Sequence, residues 1–282
     1  MEIKSLADTD FDTLFRAFDR AFADYDIRLN ATQLRAMLKR RGFDPELSFA
    51  AFDGNAIAAF TLNGTGSFNG LPTAYDTGTG TRKEYRGRGL ATEIFKYSIP
   101  HLRAKGIGQY LLEVLQHNEK AVSVYRKLGF ETTREFYYFT QLNEKIPTGS
   151  GTPAGYSVER LGIGEFSPRP DFEDFKPSWQ NSWESIRRAA GNFVALRAFA
   201  GKELAGYAVF EPASGDVTQL AVNRRHRRRG IASALLREMV GLNRNDILKI
   251  VNTDISCTSI TGFLKARNIE PTGRQFEMIR RI

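Results

Sequence analysis

The chain has 282 residues, of which 41% are hydrophobic and 12% aromatic, so it is long enough for two domains with a core each. No apolar run reaches the roughly 18–20 residues that span a bilayer, and the N-terminus lacks the apolar region of a signal peptide. We therefore expect a cytoplasmic protein without a membrane partner. The single cysteine, Cys257, excludes an internal disulfide, and the three histidines lack metal-ligand spacing, so no metal site is predicted.

The net charge of +8 comes largely from one basic run in the second half, Arg224–Arg229. Such a run can form a solvated face, bind nucleic acid, or hold the phosphates of a small ligand. Because the run precedes a helix pattern and is not a tail, we favour a small phosphate-rich ligand over nucleic acid as the partner.

The spacing of apolar residues predicts one strand, two helices, three or four strands, and then helix, strand, helix and strand in the first half. Asp10 and Asn30 are expected to cap the first two helices. The glycine-rich stretch Gly64–Leu71 is predicted as a loop or an irregular strand. The predicted strands are Glu2–Leu6, Leu47–Phe52, Ala56–Asn63, Thr73–Thr81, Tyr110–Leu115 and Phe136–Gln141. The predicted helices are Phe11 to about Tyr25, Ala31–Arg41, Leu90 to about Ala104, and Glu119–Leu128.

A Pro- and Gly-rich linker then separates two predicted domains, residues 1–146 and 156–282, with the linker at 147–155. The element order restarts after the linker. The predicted strands are Tyr156–Leu161, Asn192–Ala200, Leu204–Glu211, Asp216–Val222, Ile247–Asn252 and Phe276–Ile282. The predicted helical stretches are Ile163–Phe166, Pro177–Ala190, Ile231–Leu242 and Thr258–Ala266.

Two landmarks recur at nearly the same separation. Gly89 and Gly230 both precede a helix pattern and lie 141 positions apart, and the bends at Gly129 and Asn268 lie 139 apart. This agreement indicates an internal duplication.

The clearest local signal is the glycine turn Tyr85–Thr92, which joins an extended run to an amphipathic helix pattern. Small residues at such a turn let a ligand approach the backbone closely. The first amides of the helix and its dipole then favour an anion. Arg86 and Arg88 add positive charge, so the sequence predicts a pocket for a phosphate or pyrophosphate.

These segments together resemble the GCN5-related N-acetyltransferase (GNAT) superfamily. Arg86–Ala91 matches its Arg/Gln-x-x-Gly-x-Gly/Ala motif, and Tyr125–Phe130 matches the helix that ends in Leu-Gly-Phe. Arg227–Ala232 repeats the first motif, so the chain looks like a tandem member. The resemblance implies an α/β (α+β) fold of two GNAT-like domains, each a mixed, centrally splayed β-sheet flanked by helices.

The resemblance also implies direct acyl transfer from acetyl-CoA, a CoA thioester, to a primary amine of a small molecule or a peptide. It implies that the turn binds the pyrophosphate and that the edge of the preceding strand binds the pantetheine arm. Tyr125 takes the position of the family's acid, and Glu113 is our candidate base. The residues expected to bind the cofactor in the first half are Thr79, Thr81, Arg86, Gly87, Arg88, Gly89, Leu90, Ala91, Thr92 and Asn118.

Alignment of the two halves separates their expected roles. The second half keeps an anion turn, but Tyr125, Asn118 and Glu113 correspond to Leu264, Cys257 and Asn252. We therefore expect a catalytic first half and a degenerate second half. The turn residues of the second half that are expected to contact CoA are Arg229, Gly230, Ile231 and Ala232. A non-catalytic acyl-CoA-binding or sensing protein is the alternative, and a nucleic-acid binder that uses Arg224–Arg229 comes after it.

Overall fold

A computed structural model describes residues 1–24, 28–149 and 151–282. Its residues form two compact units, of which unit 1 contains Met1–Thr133 and Phe276–Ile282, and unit 2 contains Arg134–Gln275. None of the described helices is long and apolar enough to cross a membrane.

The strands are β1 (Glu2–Ser5), β2 (Phe49–Asp53), β3 (Ala56–Phe68), β4 (Leu71–Thr81), β5 (Gln109–Leu115), β6 (Glu131–Leu142), β7 (Tyr156–Gly162), β8 (Val194–Ala200), β9 (Glu203–Glu211), β10 (Asp216–Val222), β11 (Ile247–Asp254) and β12 (Pro271–Arg281). The helices are α1 (Phe11–Ala21), α2 (Ala31–Arg41), α3 (Leu90–Ala104), α4 (Glu119–Lys127), α5 (Trp183–Arg188), α6 (Ile231–Leu242) and α7 (Thr258–Lys265).

In unit 1 the sheet runs β1-β2-β3-β4-β5 and continues into the end of β12. Neighbouring strands are antiparallel up to β4, whereas β4 and β5 are parallel. The first two helices pack on one face, where Phe18 and Leu34 meet Phe60 of β3. Helices α3 and α4 pack on the other face through residues such as Phe95 and Val122. The sheet is therefore covered on both sides, as predicted.

The first two helices begin at the predicted caps. Asp10 accepts a hydrogen bond from the backbone N–H of Thr13 at 2.8 Å. Asn30 and Gln33 form a reciprocal capping box, which satisfies two amides at the start of α2. The predicted end of the first helix, near Tyr25, lies outside the described residues; α1 itself ends at Ala21.

The glycine-rich stretch that was predicted as a loop or irregular strand belongs to a long hairpin. Strand β3 extends to Phe68 and pairs with β4 across a turn at Asn69 and Gly70. Both turn residues have positive φ, 53° and 79°, which matches the two-residue hairpin turns that follow the twist of paired strands.

In unit 2 the strand order is β6-β11-β10-β9-β8-β7, and α6 and α7 supply apolar residues to its core. The prediction of a helix over Pro177–Ala190 was wrong for its first part. Only Trp183–Arg188 is α-helical, and Ser182 caps it by accepting from the N–H of Ser185 at 3.2 Å. The predicted helix at Ile163–Phe166 is a single 3-10 turn.

The two units exchange strands relative to the predicted domains 1–146 and 156–282. Most of β6 lies in unit 2, where Phe139 pairs with Ile250 of β11. The end of β12 lies in unit 1, where Arg281 donates to Gln109 Oε1 at 2.9 Å. Each half of the chain therefore contributes its last strand to the other half's sheet.

Candidate active site

Strands β4 and β5 separate beside the first glycine turn. They pair only at three positions, the last of which joins Tyr75 to Leu111. Strand β4 then continues to Thr81, and on this side no described residue pairs with it as a ladder partner. In unit 2, β10 and β11 pair only at Asp216 and Lys249. The predicted central splay is thus present in both units.

A β-bulge at Thr77 determines which side chains of β4 face α3 and α4. Ala74 belongs to the core on that face, and Asp76, two residues later, shares its orientation. The register with β3 shifts at the bulge, so that Thr79 and not Gly78 returns to this face. The bulge therefore brings Asp76 and Thr79 together.

Asp76 is the centre of a buried polar group at the split. Its Oδ2 accepts hydrogen bonds from the Tyr125 hydroxyl at 3.1 Å and from the Thr79 hydroxyl at 2.9 Å. Its Oδ1 is buried and has no hydrogen-bond partner among the described residues. Asp76 is 8% exposed and is the first residue of β4 beyond the last pair with β5.

The surroundings shift both acids towards retaining their protons. Burial raises the pKa of Asp76 from 3.8 to about 6, against the opposing effect of the hydrogen bonds from Thr79 and Tyr125. Burial, followed by the charge of Asp76, raises the pKa of Tyr125 well above its ordinary value. At neutral pH the phenol is therefore protonated, and the carboxyl group is mostly ionised.

Asp76 was missing from the residues predicted for the site. A signal was present, because aspartate is depleted inside strands and this one interrupts a predicted strand. The bulge that turns it towards Tyr125 left no recognisable pattern in the sequence.

The predicted acid, Tyr125, projects from α4 into the same region. Its ring meets Phe95 and Phe130 edge-on, each with a centroid distance of 5.8 Å. Asn118 caps α4 by accepting from the N–H of Ala121 at 3.3 Å. The helix cap thus fixes where α4 begins and hence where Tyr125 lies.

The predicted base, Glu113, lies on the opposite face of the sheet from Tyr125. On β5, Tyr110 and Leu112 point to α3 and α4, so the alternation of the strand turns Glu113 away. There the Tyr75 hydroxyl donates to Glu113 Oε2 at 3.0 Å. The predicted acid and the predicted base therefore lie on opposite faces of the sheet, one on each side of the split.

The first turn has the backbone expected of an anion site. Gly87 and Gly89 have φ of 78° and 77°, which favours glycine at both positions. The first bond within α3 runs from the N–H of Glu93 to the Gly89 carbonyl at 3.1 Å. The amides of Leu90, Ala91 and Thr92 precede it and have no carbonyl of the helix to bond.

Arg86, predicted as a cofactor contact, is engaged in holding this turn. Its guanidinium donates to the carbonyls of Thr81 at 3.1 Å and Ala21 at 2.9 Å, and to the Asp24 carboxylate at 2.9 Å. Arg88 donates to the Glu84 carbonyl at 3.1 Å. Arg86 therefore fixes the turn against the end of β4 and α1.

The second turn repeats this arrangement in unit 2. Arg227 donates to the Val222 carbonyl at 3.1 Å and to the Asp174 carboxylate at 2.8 Å. Arg228 and Gly230 have φ of 63° and 83°, so an arginine adopts the left-handed conformation that Gly87 adopts in unit 1. The turn thus keeps the same backbone conformation in both halves, although an arginine replaces the first of its two glycines in the second half.

The sequence profile described as "Acetyltransferase (GNAT) family" matches residues 11–130 and 159–251, well over half of the chain. The chain belongs to this family. The two matched segments fall in the two halves of the repeat, and each includes one glycine turn.

Among curated GNAT relatives, a mycothiol acetyltransferase from Thermobifida fusca is 34% identical over 121 residues. That alignment covers 40% of this chain and 38% of the relative. An N-alpha-acetyltransferase 30 from Schizosaccharomyces pombe is 30% identical over 96 residues, which are 34% of this chain and 64% of that protein. The chain thus matches well under half the length of the mycothiol acetyltransferase.

Solved structures support the tandem fold along the whole chain. A tandem GNAT protein from the clavulanic acid biosynthesis pathway superposes with a TM-score of 0.74 at 14% identity, covering 99% of this chain and 98% of that one. A GCN5-related N-acetyltransferase from Sphaerobacter thermophilus gives a TM-score of 0.70 at 16% identity, covering 99% and 95%.

The second GNAT unit lacks the polar side chains found at the first split. Leu264, at the position of Tyr125, is 1% exposed within the apolar core. Cys257 begins α7 without a side-chain capping bond, unlike Asn118. Asn252 has a positive φ of 59°, and its amide donates to the Ser178 hydroxyl at 2.9 Å.

The chain itself bridges the split between β10 and β11. The Asn181 side chain donates to the Val251 carbonyl at 2.9 Å, and its backbone carbonyl accepts from the Gln219 side chain at 2.8 Å. Asp174 adds a second bridge between Arg227 and the Ser259 hydroxyl, which donates to it at 2.7 Å. A cavity of about 480 Å³ remains beside the turn, lined partly by basic and aromatic side chains.

Proposed function

We propose that the protein is an acetyl-CoA-dependent N-acetyltransferase that transfers the acetyl group directly to a primary amine of a small molecule or peptide. The observation that supports this most is the hydrogen-bonded Tyr125 at the split of β4 and β5, next to the glycine turn. Family membership supplies the reaction class.

The first half offers a fitting surface for acetyl-CoA as a substrate. The amides of Arg88, Gly89, Leu90, Ala91 and Thr92 are suited to the pyrophosphate. The edge of β4 from Thr77 to Thr81 lacks a ladder partner on the side of the split and can pair with the pantetheine arm as an added strand would. The thioester supplies the acetyl group.

In the first half, the two proton transfers of the reaction take place on opposite faces of the sheet. An amine with a pKa near 10 is mostly protonated at neutral pH and must lose a proton before it attacks. Glu113 is available for that proton on the face of α1 and α2. Tyr125, whose pKa is raised by burial, can donate to the departing thiolate on the other face.

We infer that the second unit does not catalyse transfer. Leu264 has no proton to donate, and Asn181 crosses the region that an acyl arm would need. The turn and its neighbouring cavity leave open a non-catalytic role in binding an acyl-CoA or a related phosphorylated ligand.

The decisive experiment is a panel of amines assayed with acetyl-CoA by release of free thiol. The names of the relatives direct the panel towards peptide α-amines as well as small amines. We expect Tyr125→Phe to lower kcat at least about tenfold, with little change in acetyl-CoA binding.

A matched control is Tyr97→Phe, which makes the same change at an exposed position of α3. It should retain wild-type kinetics. If Tyr125→Phe also retains them, Tyr125 is not the acid, and if no amine in the panel is acetylated, the proposed activity is wrong.

A further inference from the structure

Asp76 is a buried carboxyl group that the fold does not need for packing. Burial of an ionisable group away from water is unfavourable unless another group compensates it. Asp76 is 8% exposed, and only its Oδ2 has partners among the described residues. An explanation for its presence must therefore come from outside the packing of the sheet.

The second half provides an internal control for this position. Both β4 and β10 contain a bulge, at Thr77 and Thr218. The residue before the bulge is Asp76 in one strand and Val217 in the other, and Val217 lies in the apolar core. The same backbone thus accepts an aliphatic residue at this position.

The residues that contact Asp76 also differ between the two halves. In the first half its Oδ2 contacts Thr79 and Tyr125. In the second half the corresponding residues are Leu220 and Leu264, so all three polar groups are replaced by apolar ones. The three residues that are in contact in the first half are thus all absent from the second half.

We propose that Asp76 is a proton relay that connects the attacking amine to Tyr125. This inference rests on the proposed N-acetyltransferase function. Asp76 Oδ1 is buried without a hydrogen-bond partner among the described residues, and Asp76 is the first residue of β4 beyond the paired part of the split. Oδ2 is already hydrogen-bonded to the phenol. One carboxyl group therefore offers an acceptor for the substrate and a contact to the acid.

The transfer balances as follows in atoms and electrons. The nitrogen of a neutral amine forms the new C–N bond and gives one proton to Asp76 Oδ1. The C–S bond breaks, its electron pair stays on sulphur, and sulphur takes the phenol proton of Tyr125. Half a turn of the protonated carboxyl group about Cβ–Cγ then returns the stored proton to the Tyr125 oxygen. An amide and a free thiol result, and both residues recover their starting states.

The charges around Asp76 are compatible with this role. Tyr125 of α4 and Tyr110 of β5 face it as neutral phenols whose pKa values burial raises. Burial likewise raises the pKa of Tyr75 of β4. Arg41 of α2 is a cation that favours the ionised form of the Asp76 carboxyl group. Since the relay accepts a proton only as a carboxylate, activity should fall as the pH drops through about 6.

The test compares Asp76→Asn, Asp76→Val, Tyr125→Phe and the double variant Asp76→Asn/Tyr125→Phe, each with acetyl-CoA and the best amine of the panel. Asparagine keeps the shape of the side chain but cannot hold the proton. We expect Asp76→Asn to lower kcat about a hundredfold, with the acetyl-CoA Kd within about twofold of wild type. The double variant should be no slower than the slower single variant, because the two residues act as a unit.

The pH profile and the melting temperature separate a relay from a structural role. The loss of kcat/KM below a pH of about 6 should disappear in Asp76→Asn. Asp76→Val should melt no lower than wild type, since Val217 fills the same position in the second half. Asp8→Asn, at an exposed position, serves as the matched control with unchanged kinetics.

Two results would overturn the relay alone. One is an Asp76→Asn variant with normal kcat and an unchanged acid limb beside an impaired Tyr125→Phe variant. The other is a large fall in the melting temperature of both Asp76 variants, which would make the carboxyl group structural. A wild-type protein that acetylates no amine would instead overturn the proposed function, and the relay with it.

Discussion

The two glycine turns of this chain have nearly the same backbone, but the chemistry around them differs. Gly89 and Gly230 have φ of 77° and 83°, and Arg86 and Arg227 donate to the last carbonyl of the preceding strand in the same way. In the first half, the strand beside the turn carries a buried carboxyl group, Asp76, in contact with Tyr125. In the second half, Val217 and Leu264 take these two positions in the apolar core.

In both halves the sequence motif specifies the same shape of the turn. The arginine holds the turn, and the positive φ values aim the first amides of the helix. In our proposal, activity depends on residues outside the motif, on β4 and α4 in the first half. The second half shows what the fold becomes when those residues are lost and the split is bridged by Asn181.

An exchange of residues between the halves should give the largest effect. Tyr125→Leu installs the side chain of the second half, and we expect turnover to fall about a hundredfold or more because the acid is lost. Thiol release from acetyl-CoA measures it.

The reverse change, Leu264→Tyr, should create no turnover on its own, because Asn181 still bridges β10 and β11. We test it in the background of Tyr125→Leu, whose residual turnover is the baseline. Acetylation by that double variant above this baseline would contradict our assignment of the second half as inert.

The two anchoring arginines should differ in their kinetic effect. Arg86→Ala removes three hydrogen bonds that hold the first turn, and we expect the acetyl-CoA KM to rise about tenfold, which corresponds to about 1.4 kcal/mol. Arg227→Ala removes the matching contacts in the second half and should leave steady-state kinetics unchanged. Equal effects of the two variants would mean that the second turn also contributes to turnover.

The bridge across the second split should contribute to stability and not to catalysis. Asn181→Ala leaves the Val251 carbonyl without its donor, which costs about 1–3 kcal/mol of the free energy of unfolding. Denaturant unfolding measures it, and Asn192→Ala at an exposed position is the control. A lower kcat in Asn181→Ala would assign the bridge to the active site instead.

Glycine exchanges at the two turns should give the smallest effects, with opposite signs. Gly87→Ala places a side chain at φ of 78° and should destabilise the protein by about 1 kcal/mol. Arg228→Gly relieves the same conformation at φ of 63° and should stabilise it by somewhat less, since glycine also gains freedom in the unfolded chain. Thermal unfolding of the pair checks both signs.

The sequence predicted much of the local structure and part of the site. The caps at Asp10 and Asn30 and the turn at Gly89 follow from short-range patterns, whereas the splay of β4 and β5 was implied by the family resemblance, and all were confirmed. Periodicity could not reveal Asp76, because one inserted residue at Thr77 changes which side chains share a face.

Two further differences arose from long-range contacts. Ser178 forms a hydrogen bond with strand β11, and Asn181 forms hydrogen bonds with strands β10 and β11. These bonds compete with the helix that was predicted over Pro177–Ala190. The exchange of β6 and β12 depends on pairing between residues far apart in the chain, which no local pattern records.

That exchange has a consequence for how the protein is made. The contact of Gln109 with Arg281 spans 172 positions, so a segment far along the chain closes the sheet around Tyr125. Long-range closure of this kind is slow compared with local folding. The half to which we assign the chemistry therefore completes its sheet only with β12, and a chain cut before β12 should lose the proposed activity.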